Sequence, residues 1–128
     1  MNKQANILGL GNDIIEIERV REGFIQHRDP FLDRLFSKKE RDYCESQKDP
    51  FPRYAGRFAA KEAIVKALGC GFGKEASFHD IEILADENGK PEAYLSEDLN
   101  QRFNSPHILV TISHCKTYAS AVAIWSNA

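Results

Sequence analysis

One segment, residues 54–68, constrains the fold of this chain more than any other. It is rich in Ala, Lys and Glu, which favour helix, and Gly69 follows as a C-terminal stop. Four alanines keep its surface small, so another element can pack closely against it: Ala59, Ala60, Ala63 and Ala67. Glu62 and Lys66 lie four residues apart and share a face with Phe58, one turn earlier. Such a pair is most often a surface ion pair that stabilises the helix by about 0.3–0.5 kcal/mol. On a helix that packs closely against other elements, however, charged side chains indicate a functional role.

Hydrophobic runs and turn signals divide the rest of the chain. Strands are predicted over residues 7–17, 81–84, 92–95, 108–113 and 118–125. Short helices are predicted over residues 31–36, 37–47 and 96–103, with caps at Asp29, Ser37 and Ser96. We expect the run Asp49-Pro50-Phe51-Pro52 to break the chain before the long helix. This order of elements predicts an α+β fold, with a mostly antiparallel sheet packed against helices.

Length, charge and cysteine spacing narrow the class of protein. The 128 residues suit one domain, residues 1–128. No apolar run approaches the roughly 18 residues of a membrane span, and the first six residues lack the apolar stretch of a secretion signal. We therefore expect a cytoplasmic protein with no membrane partner. A net charge of −2 does not indicate a nucleic-acid partner, and three widely spaced cysteines predict reduced thiols: Cys44, Cys70 and Cys115.

Two polar residues associated with apolar strands add candidate chemistry. Asp13 lies between Gly9-Leu10-Gly11 and Ile14-Ile15, where a buried carboxylate is costly unless it is paired, hydrogen-bonded or bound to a metal. His114 directly follows the apolar strand predicted over residues 108–113. Each has a structural explanation when taken alone, an ion pair or capped turn for Asp13 and a satisfied histidine for His114.

Considered together, four residues supply what phosphoryl transfer requires. Asp13 and Glu62 offer carboxylates for a hard cation, Lys66 offers a positive charge for phosphate, and His114 can carry a proton. Mg²⁺ commonly takes one or two carboxylates, together with waters and substrate phosphates. The sequence has no GxxxxGK[ST] motif, which excludes a P-loop nucleotide-binding protein. The residues therefore favour a different Mg²⁺-dependent phosphoryl-transfer site.

The segments that carry these residues resemble the bacterial holo-[acyl-carrier-protein] synthases, the small homotrimeric members of the 4′-phosphopantetheinyl transferase superfamily. The matching segments are Gly9-Leu10-Gly11-Asn12-Asp13-Ile14, Arg57-Phe58-Ala59-Ala60-Lys61-Glu62-Ala63, Lys66-Ala67, Gly69-Cys70-Gly71-Phe72-Gly73 and Ile112-Ser113-His114. They occur in family order over nearly the whole chain. The resemblance implies the 4′-phosphopantetheinyl transferase-like fold. It also implies Mg²⁺-dependent transfer of the phosphopantetheine of coenzyme A to a serine of apo-acyl carrier protein, giving holo-acyl carrier protein and 3′,5′-ADP, in fatty acid biosynthesis.

The resemblance also implies a role for each matching residue. Asp13 and Glu62 would hold Mg²⁺, and Lys66 would contact the pyrophosphate. The coenzyme A nucleotide would be lined by residues of the long helix, the glycine loop and the last hairpin: Arg57, Phe58, Gly69, Gly71, Gly73 and His114. Either Glu62 or His114 would accept the proton of the serine hydroxyl.

Partners follow from the same resemblance. Three basic residues would meet the acidic helix of acyl carrier protein: Arg19, Arg28 and Arg34. A homotrimer would place the active sites between subunits, with Asp13 from one chain and Glu62 from the next. Two other functions stay open from the residues alone. One is a non-catalytic module that binds a carrier protein or nucleic acid, and the other is a different Mg²⁺-dependent phosphoryl-transfer enzyme.

Overall fold

One long helix lies against a three-stranded antiparallel sheet in this structure, a computed structural model that describes residues 6–127. Residues 1–5, on which the prediction of no secretion signal largely rests, lie outside the described residues. The strands are β1 (Ile7–Glu16), β2 (Ile81–Ala85), β3 (Pro91–Leu95), β4 (His107–His114) and β5 (Tyr118–Ser126). The helices are α1 (Ile17–His27), α2 (Asp29–Leu35), α3 (Lys38–Glu45), α4 (Phe51–Leu68) and α5 (Glu97–Arg102), with a 3₁₀ helix at Phe78–Asp80.

The strands form two antiparallel sheets, in the order β1-β5-β4 and as the separate hairpin β2-β3. The α+β prediction is therefore confirmed, as are the five predicted strands to within a residue or two. The long helix ends as predicted, because Gly69 takes a left-handed conformation with φ 77°. None of the helices within residues 6–127 is long and apolar enough to cross a membrane. That residues 1–128 form one domain stays a prediction.

Two local features differ from the predictions. The break before the long helix spans residues 46–50, so only the first half of the proline run lies in it. Helix α4 already begins at Phe51 and holds Pro52 in its first turn, where a missing N–H costs nothing. The first strand ends at Glu16 rather than Ile17, and Ile17 begins α1, a helix that was not predicted. Ile17 and Val20 are buried on one side of α1 at helical spacing, which is the signal that was overlooked.

Two glycines bring β1 against α4. Gly9 and Gly11 alternate along β1 and face the helix, and a Cβ atom at either position would clash with the carbonyl oxygen of Ala67 or Ala63. Alanines also line the facing side of β5, where Ala121 and other alternate residues are buried. Small side chains on both surfaces thus allow the helix to approach the sheet closely, as the alanine-rich sequence of α4 predicts.

Within residues 6–127, no helix covers the opposite face of the three-stranded sheet. Register places Leu10, Ile124 and Leu109 side by side across all three strands, on the face directed away from α4. Leu10 is 66% exposed and Ile14, on the same face of β1, is 64% exposed. The described chain therefore leaves an aliphatic sheet face open to solvent.

Candidate active site

Asp13 reaches α4 because it continues the row begun by the two glycines. Residues 9, 11 and 13 alternate along β1 and share a face. The glycines let the helix approach at Ala63 and Ala67, and the carboxylate of Asp13 lies 3.1 Å from the Nζ atom of Lys66, between these two alanines in the sequence. Lys66 also donates to the backbone carbonyl of Asn12 at 3.1 Å. Asp13 thus pairs with a lysine of α4 rather than with a local arginine, and Lys66 pairs with Asp13 rather than with Glu62.

Asp13 and Glu62 line one cavity of about 540 Å³ within a single chain, which we call the carboxylate cavity. Its remaining lining is mainly apolar, with two arginines: Ile14, Ile15, Arg19, Val20, Phe31, Arg34, Leu35, Phe58 and Phe78. The expectation that Asp13 and Glu62 would come from different chains is therefore wrong. Strand β1 and helix α4 of the same chain lie in direct contact, and this contact brings the two carboxylates together.

The carboxylate cavity disfavours negative charge in the free protein. Burial raises the pKa of Glu62, and the nearby charge of Asp13 raises this pKa further, while Lys66 acts in the opposite direction. Two carboxylates that repel each other in a partly buried cavity gain stability from a cation between them. Asp13 is 18% exposed, less deeply buried than the apolar sequence around it predicted.

A second cavity, which we call the basic cavity, lies on the other side of α4. It encloses about 200 Å³ and is lined by Tyr43, Arg53, Arg57, Gly89, Pro91, Ile112 and His114. Arg57 is only 4% exposed, and its guanidinium lies 4.4 Å from the ring centre of Tyr43. Among the buried side-chain polar atoms of the described chain, Arg57 Nε is the one without a hydrogen-bond partner. A buried guanidinium with an unused donor is suited to an anionic ligand.

His114 belongs to the basic cavity. Its Nε2 atom lies 2.9 Å from Nη1 of Arg53. Because a guanidinium can only donate, Nε2 must accept, so the neutral ring carries its proton on Nδ1 in this contact. The strand order explains why His114 lies apart from Asp13. Asp13 is on β1 and His114 is on β4, and these are the two edge strands of the sheet, with β5 between them. Within one chain, His114 and the two carboxylates therefore do not share a cavity.

Helix geometry also divides residues that the sequence grouped together. Each residue of an α-helix turns by about 100°, so Arg57 lies roughly 140° around α4 from Glu62. Phe58 lines the carboxylate cavity, whereas Arg57 lines the basic cavity. Within a single chain the two residues therefore line different cavities, and the prediction that both line one nucleotide site stays a prediction. The same turn of helix serves two different surfaces.

The glycine loop lies beside the carboxylate cavity without lining it. Gly69, Gly71 and Gly73 are absent from the lining of both cavities, but Phe72, between them, stacks on Phe78 with ring centres 3.9 Å apart. Phe78 in turn stacks on Phe58 at 5.5 Å. The loop is thus tied to the cavity wall through a row of three rings.

The three arginines predicted to meet a carrier protein do not share one environment. Arg19 and Arg34 line the carboxylate cavity, whereas the guanidinium of Arg28 lies over the ring of Phe24, 5.6 Å from its centre. Sequence reasoning also missed Arg53 as a site residue. Its spacing of four from Arg57 was the available signal, because it puts both on one side of α4.

Comparison with known proteins identifies the class to which this fold and site belong. The sequence profile of the 4′-phosphopantetheinyl transferase superfamily matches residues 9–123. The chain is 53% identical over 120 residues to a holo-[acyl-carrier-protein] synthase of Protochlamydia amoebophila, covering 94% of this chain and 98% of the relative. It is 45% identical over 115 residues to the synthase of Chlamydia caviae, covering 90% and 93%.

Solved structures agree with this similarity. A holo-(acyl-carrier-protein) synthase from Bacillus anthracis in complex with CoA (3′,5′-ADP) matches with a TM-score of 0.81 and 37% identity, over 95% of this chain and 98% of that chain. The synthase from Helicobacter pylori in complex with coenzyme A matches with a TM-score of 0.83 and 35% identity, over 91% and 98%. The chain therefore belongs to the 4′-phosphopantetheinyl transferase superfamily and is an enzyme of the holo-[acyl-carrier-protein] synthase class.

Proposed function

We propose that the chain transfers the 4′-phosphopantetheine group of coenzyme A to a serine of apo-acyl carrier protein, with Mg²⁺, giving holo-acyl carrier protein and 3′,5′-ADP. As the resemblance implies, the proposal places this reaction in fatty acid biosynthesis in the cytoplasm. The observation that carries it is the convergence of Asp13 and Glu62 on one cavity, beside the helix that bears the family motif. The relatives' names and their coenzyme A complexes support the choice of substrates.

The carboxylate cavity fits Mg²⁺. No group of three or more His, Cys, Asp or Glu side chains among residues 6–127 could hold a metal ion alone. Mg²⁺ does not need such a group, because it commonly takes one or two carboxylates and completes its shell with waters and substrate phosphates. Asp13 and Glu62 are hard oxygen donors whose mutual repulsion a cation would relieve. When bound, Mg²⁺ would neutralise phosphate charge and favour in-line displacement.

Lys66 and Glu62 have further roles in the proposal. Lys66 is 52% exposed, so its ammonium can leave Asp13 and follow the pyrophosphate at little cost. There it would stabilise the negative charge that develops on the leaving phosphate. Glu62 lies in the carboxylate cavity and His114 does not, within one chain. This location favours Glu62 over His114 as the acceptor of the serine proton.

The basic cavity supplies the complementary half of the site. Arg53, Arg57 and His114 line it, and no carboxylate does. Their donors suit the phosphates of the nucleotide, with His114 as a contact rather than as the base. Phe58 and the glycine loop would then border the reacting end of coenzyme A, because the ring row joins them to the carboxylate cavity.

A homotrimer would join the two halves. One chain keeps the carboxylates and the basic residues on opposite edges of its sheet, so a single site needs a second chain. The open sheet face, which includes Leu10 and Ile14, is aliphatic enough to hold that chain. Arg19 and Arg34 line the carboxylate cavity, which supports a contact with acidic groups of a carrier protein as it delivers its serine.

Mass spectrometry tests the activity directly. Incubation of the chain with coenzyme A, Mg²⁺ and an apo-acyl carrier protein should add one phosphopantetheine to the carrier, with 3′,5′-ADP as the second product. A carrier protein of unchanged mass would contradict the proposal. A non-catalytic binding module would form a complex with the carrier and leave its mass unchanged, so a binding assay on the same samples identifies that alternative.

Thermal unfolding with added nucleotides tests the substrate. A ligand present at about 100 times its dissociation constant stabilises the folded chain by roughly 2.7 kcal/mol. Coenzyme A with Mg²⁺ should raise the melting temperature, and ATP with Mg²⁺ should raise it much less. The reverse order would favour another Mg²⁺-dependent phosphoryl-transfer enzyme.

A further inference from the structure

Beneath the carboxylate cavity lies a fully buried ion pair that the proposed reaction does not use. Lys61 and Glu40 both have 0% exposed side chains, and Nζ of Lys61 lies 2.8 Å from Oε1 of Glu40. Lys61 directly precedes Glu62 in α4, so the two side chains leave the helix about 100° apart. Glu62 points into the cavity while Lys61 points beneath its wall.

Lys61 holds two residues of that wall by their backbones. Its ammonium donates to the carbonyl oxygen of Leu35 at 2.7 Å and to that of Phe78 at 3.1 Å. Leu35 is the last residue of α2, so its carbonyl has no acceptor role within the helix. Leu35 and Phe78 both line the carboxylate cavity. One buried ammonium therefore fixes the wall of the cavity to the residue next to Glu62.

Glu40 extends the connection to the other half of the core. One carboxylate oxygen accepts from the backbone N–H of Ile83 at 2.8 Å, and the other accepts from that of Ser37 at 2.8 Å. Ile83 belongs to the hydrophobic cluster between α4 and the sheets. Leu35 belongs to the second cluster, which α1, α2 and α3 form with the first turns of α4 and with Ala119 of β5. The pair therefore lies at the seam between the two clusters, where the wall meets α4.

A buried ion pair is a poor source of stability, because desolvation offsets most of the attraction. Apolar residues of similar volume often replace such a pair without loss of stability. The attraction between the two charges is therefore a weak explanation for the pair. The hydrogen bonds of the pair fix the relative positions of several elements instead. Four backbone groups, from α2, the N-cap of α3, the 3₁₀ helix and β2, bind to the two side chains.

We propose that Lys61 and Glu40 are positioning residues, which hold the Leu35 and Phe78 wall in the placement that transfer at Glu62 requires. This inference rests on the proposed function for its kinetic consequence. The position of the wall can be measured independently of activity, through the ring contact between Phe58 on α4 and Phe78 on the wall. Loss of the ion pair should loosen this ring contact and leave the basic cavity, on the other side of α4, unchanged.

The test is the double variant Glu40→Gln with Lys61→Met, which removes both charges together and so leaves neither buried alone. We expect kcat for transfer to fall about 10–100-fold, as for other small misplacements of reacting groups. The dissociation constant for 3′,5′-ADP should stay unchanged. The nuclear Overhauser effect between the rings of Phe58 and Phe78 should weaken, while that between Phe24 and Phe51, rings 5.8 Å apart elsewhere in the core, should persist.

Tyr54→Phe is the matched control. It removes a hydroxyl hydrogen-bonded to Glu45 from the hydrophobic cluster that also contains Leu35, but Tyr54 does not line the carboxylate cavity. It should lower the melting temperature and leave kcat and both ring contacts as in the wild type. A double variant with wild-type kcat, or one that loses kcat with an unchanged Phe58–Phe78 contact, would overturn the positioning role.

Two further results keep the inference separable from the proposed function. If the wild type transfers no phosphopantetheine, the proposed function fails, and the Phe58–Phe78 contact alone decides whether the pair sets the wall. If the double variant does not fold, Glu40→Asp replaces it, because this change keeps both charges and shortens one side chain. A folded Glu40→Asp variant should lose several-fold in kcat with unchanged binding of 3′,5′-ADP, and wild-type kcat would overturn the proposal.

Discussion

The two cavities beside α4 differ in almost every property. The carboxylate cavity is the larger, about 540 Å³, and joins two acids to an apolar wall. The basic cavity is about 200 Å³ and offers guanidinium and imidazole donors with no carboxylate. One attracts a cation and the other an anion, and a single helix separates them. Under the proposed function a metal-bound nucleotide needs both cavities, and this need is the basis of the proposal that a second chain completes the site.

The largest expected effect comes from the carboxylate cavity. Asp13→Asn and Glu62→Gln each keep the size of the side chain and remove one anionic donor, so the transfer rate should fall roughly 10²–10³-fold. Binding of 3′,5′-ADP without metal should not change, because it depends on the other cavity. Stopped assays and calorimetry measure the two quantities, with Glu87→Gln in the exposed β2–β3 turn as the control. Near-wild-type transfer by both variants would refute a metal-centred site.

The next largest effect is expected from disrupting the association of chains that would bring the two cavities together. Leu10→Asp places a charge on the open sheet face and should weaken association by about 3–5 kcal/mol for each interface, more than 100-fold. Light scattering should show a homotrimer for the wild type and monomers for the variant, with transfer lost in parallel. Ile25→Asp changes an exposed aliphatic residue of α1, outside that face, and should leave the trimer intact. A fully active monomer would refute the shared site.

A smaller effect is expected from the basic cavity. Arg57→Met removes a buried guanidinium and should weaken binding of 3′,5′-ADP by about 1.5–3 kcal/mol, roughly 10–100-fold. Arg19→Met removes the same charge from the carboxylate cavity and should leave this binding unchanged in calorimetry. Equal losses in the two variants would mean that net charge, rather than the basic cavity, holds the nucleotide.

A paired glycine test addresses the position of α4 between the cavities. Gly11→Ala puts a methyl group against the carbonyl of Ala63 and should destabilise the fold by about 1–3 kcal/mol in urea unfolding. It should lower transfer more than binding of 3′,5′-ADP, because it separates β1 from α4. Gly71→Ala meets nothing within 4 Å and should leave stability unchanged. Equal stability of the two variants would contradict the close packing of helix and sheet.

The smallest expected effect is on the pH dependence of stability. Because the pKa of Glu62 is raised above 4.5 in the folded chain, its neutral form is favoured by folding. This contribution is complete below pH 4.5 and is lost as the pH rises through the folded pKa. Glu62→Gln mimics the neutral form, so without metal it should melt about 1–3 °C above the wild type at pH 7. The difference should vanish near pH 4, and a lower melting temperature at pH 7 would contradict the raised pKa.

The sequence predicted best what depends on neighbours along the chain. The capping box of Ser37 and Glu40 forms as predicted, and Gly69 ends the long helix, because both signals act within one helical turn. Pro52 was misinterpreted for a related reason. Proline breaks a helix interior but fits a first turn, and the sequence alone does not say which of the two applies.

What the sequence could not provide was the partition of the site. Arg57 and Phe58 are adjacent in the family motif, and only the packing of α4 directs them to different cavities. The meeting of Asp13 with Glu62 in one chain likewise depends on contacts between distant segments, β1 and α4. The fully buried state of Lys61 was also invisible, because its neighbour Glu62 offered a more obvious interpretation of the same charges.

The placement of the two cavities on opposite edges of the sheet has a genetic consequence. If each working site takes its acids from one chain and its guanidinium groups from another, two different defects can compensate for each other. A chain damaged at Glu62 still offers an intact basic cavity, and a chain damaged at Arg57 still offers intact acids. Mixed trimers of the two would contain whole sites beside doubly broken ones, so two alleles that are each inactive alone could together sustain a cell.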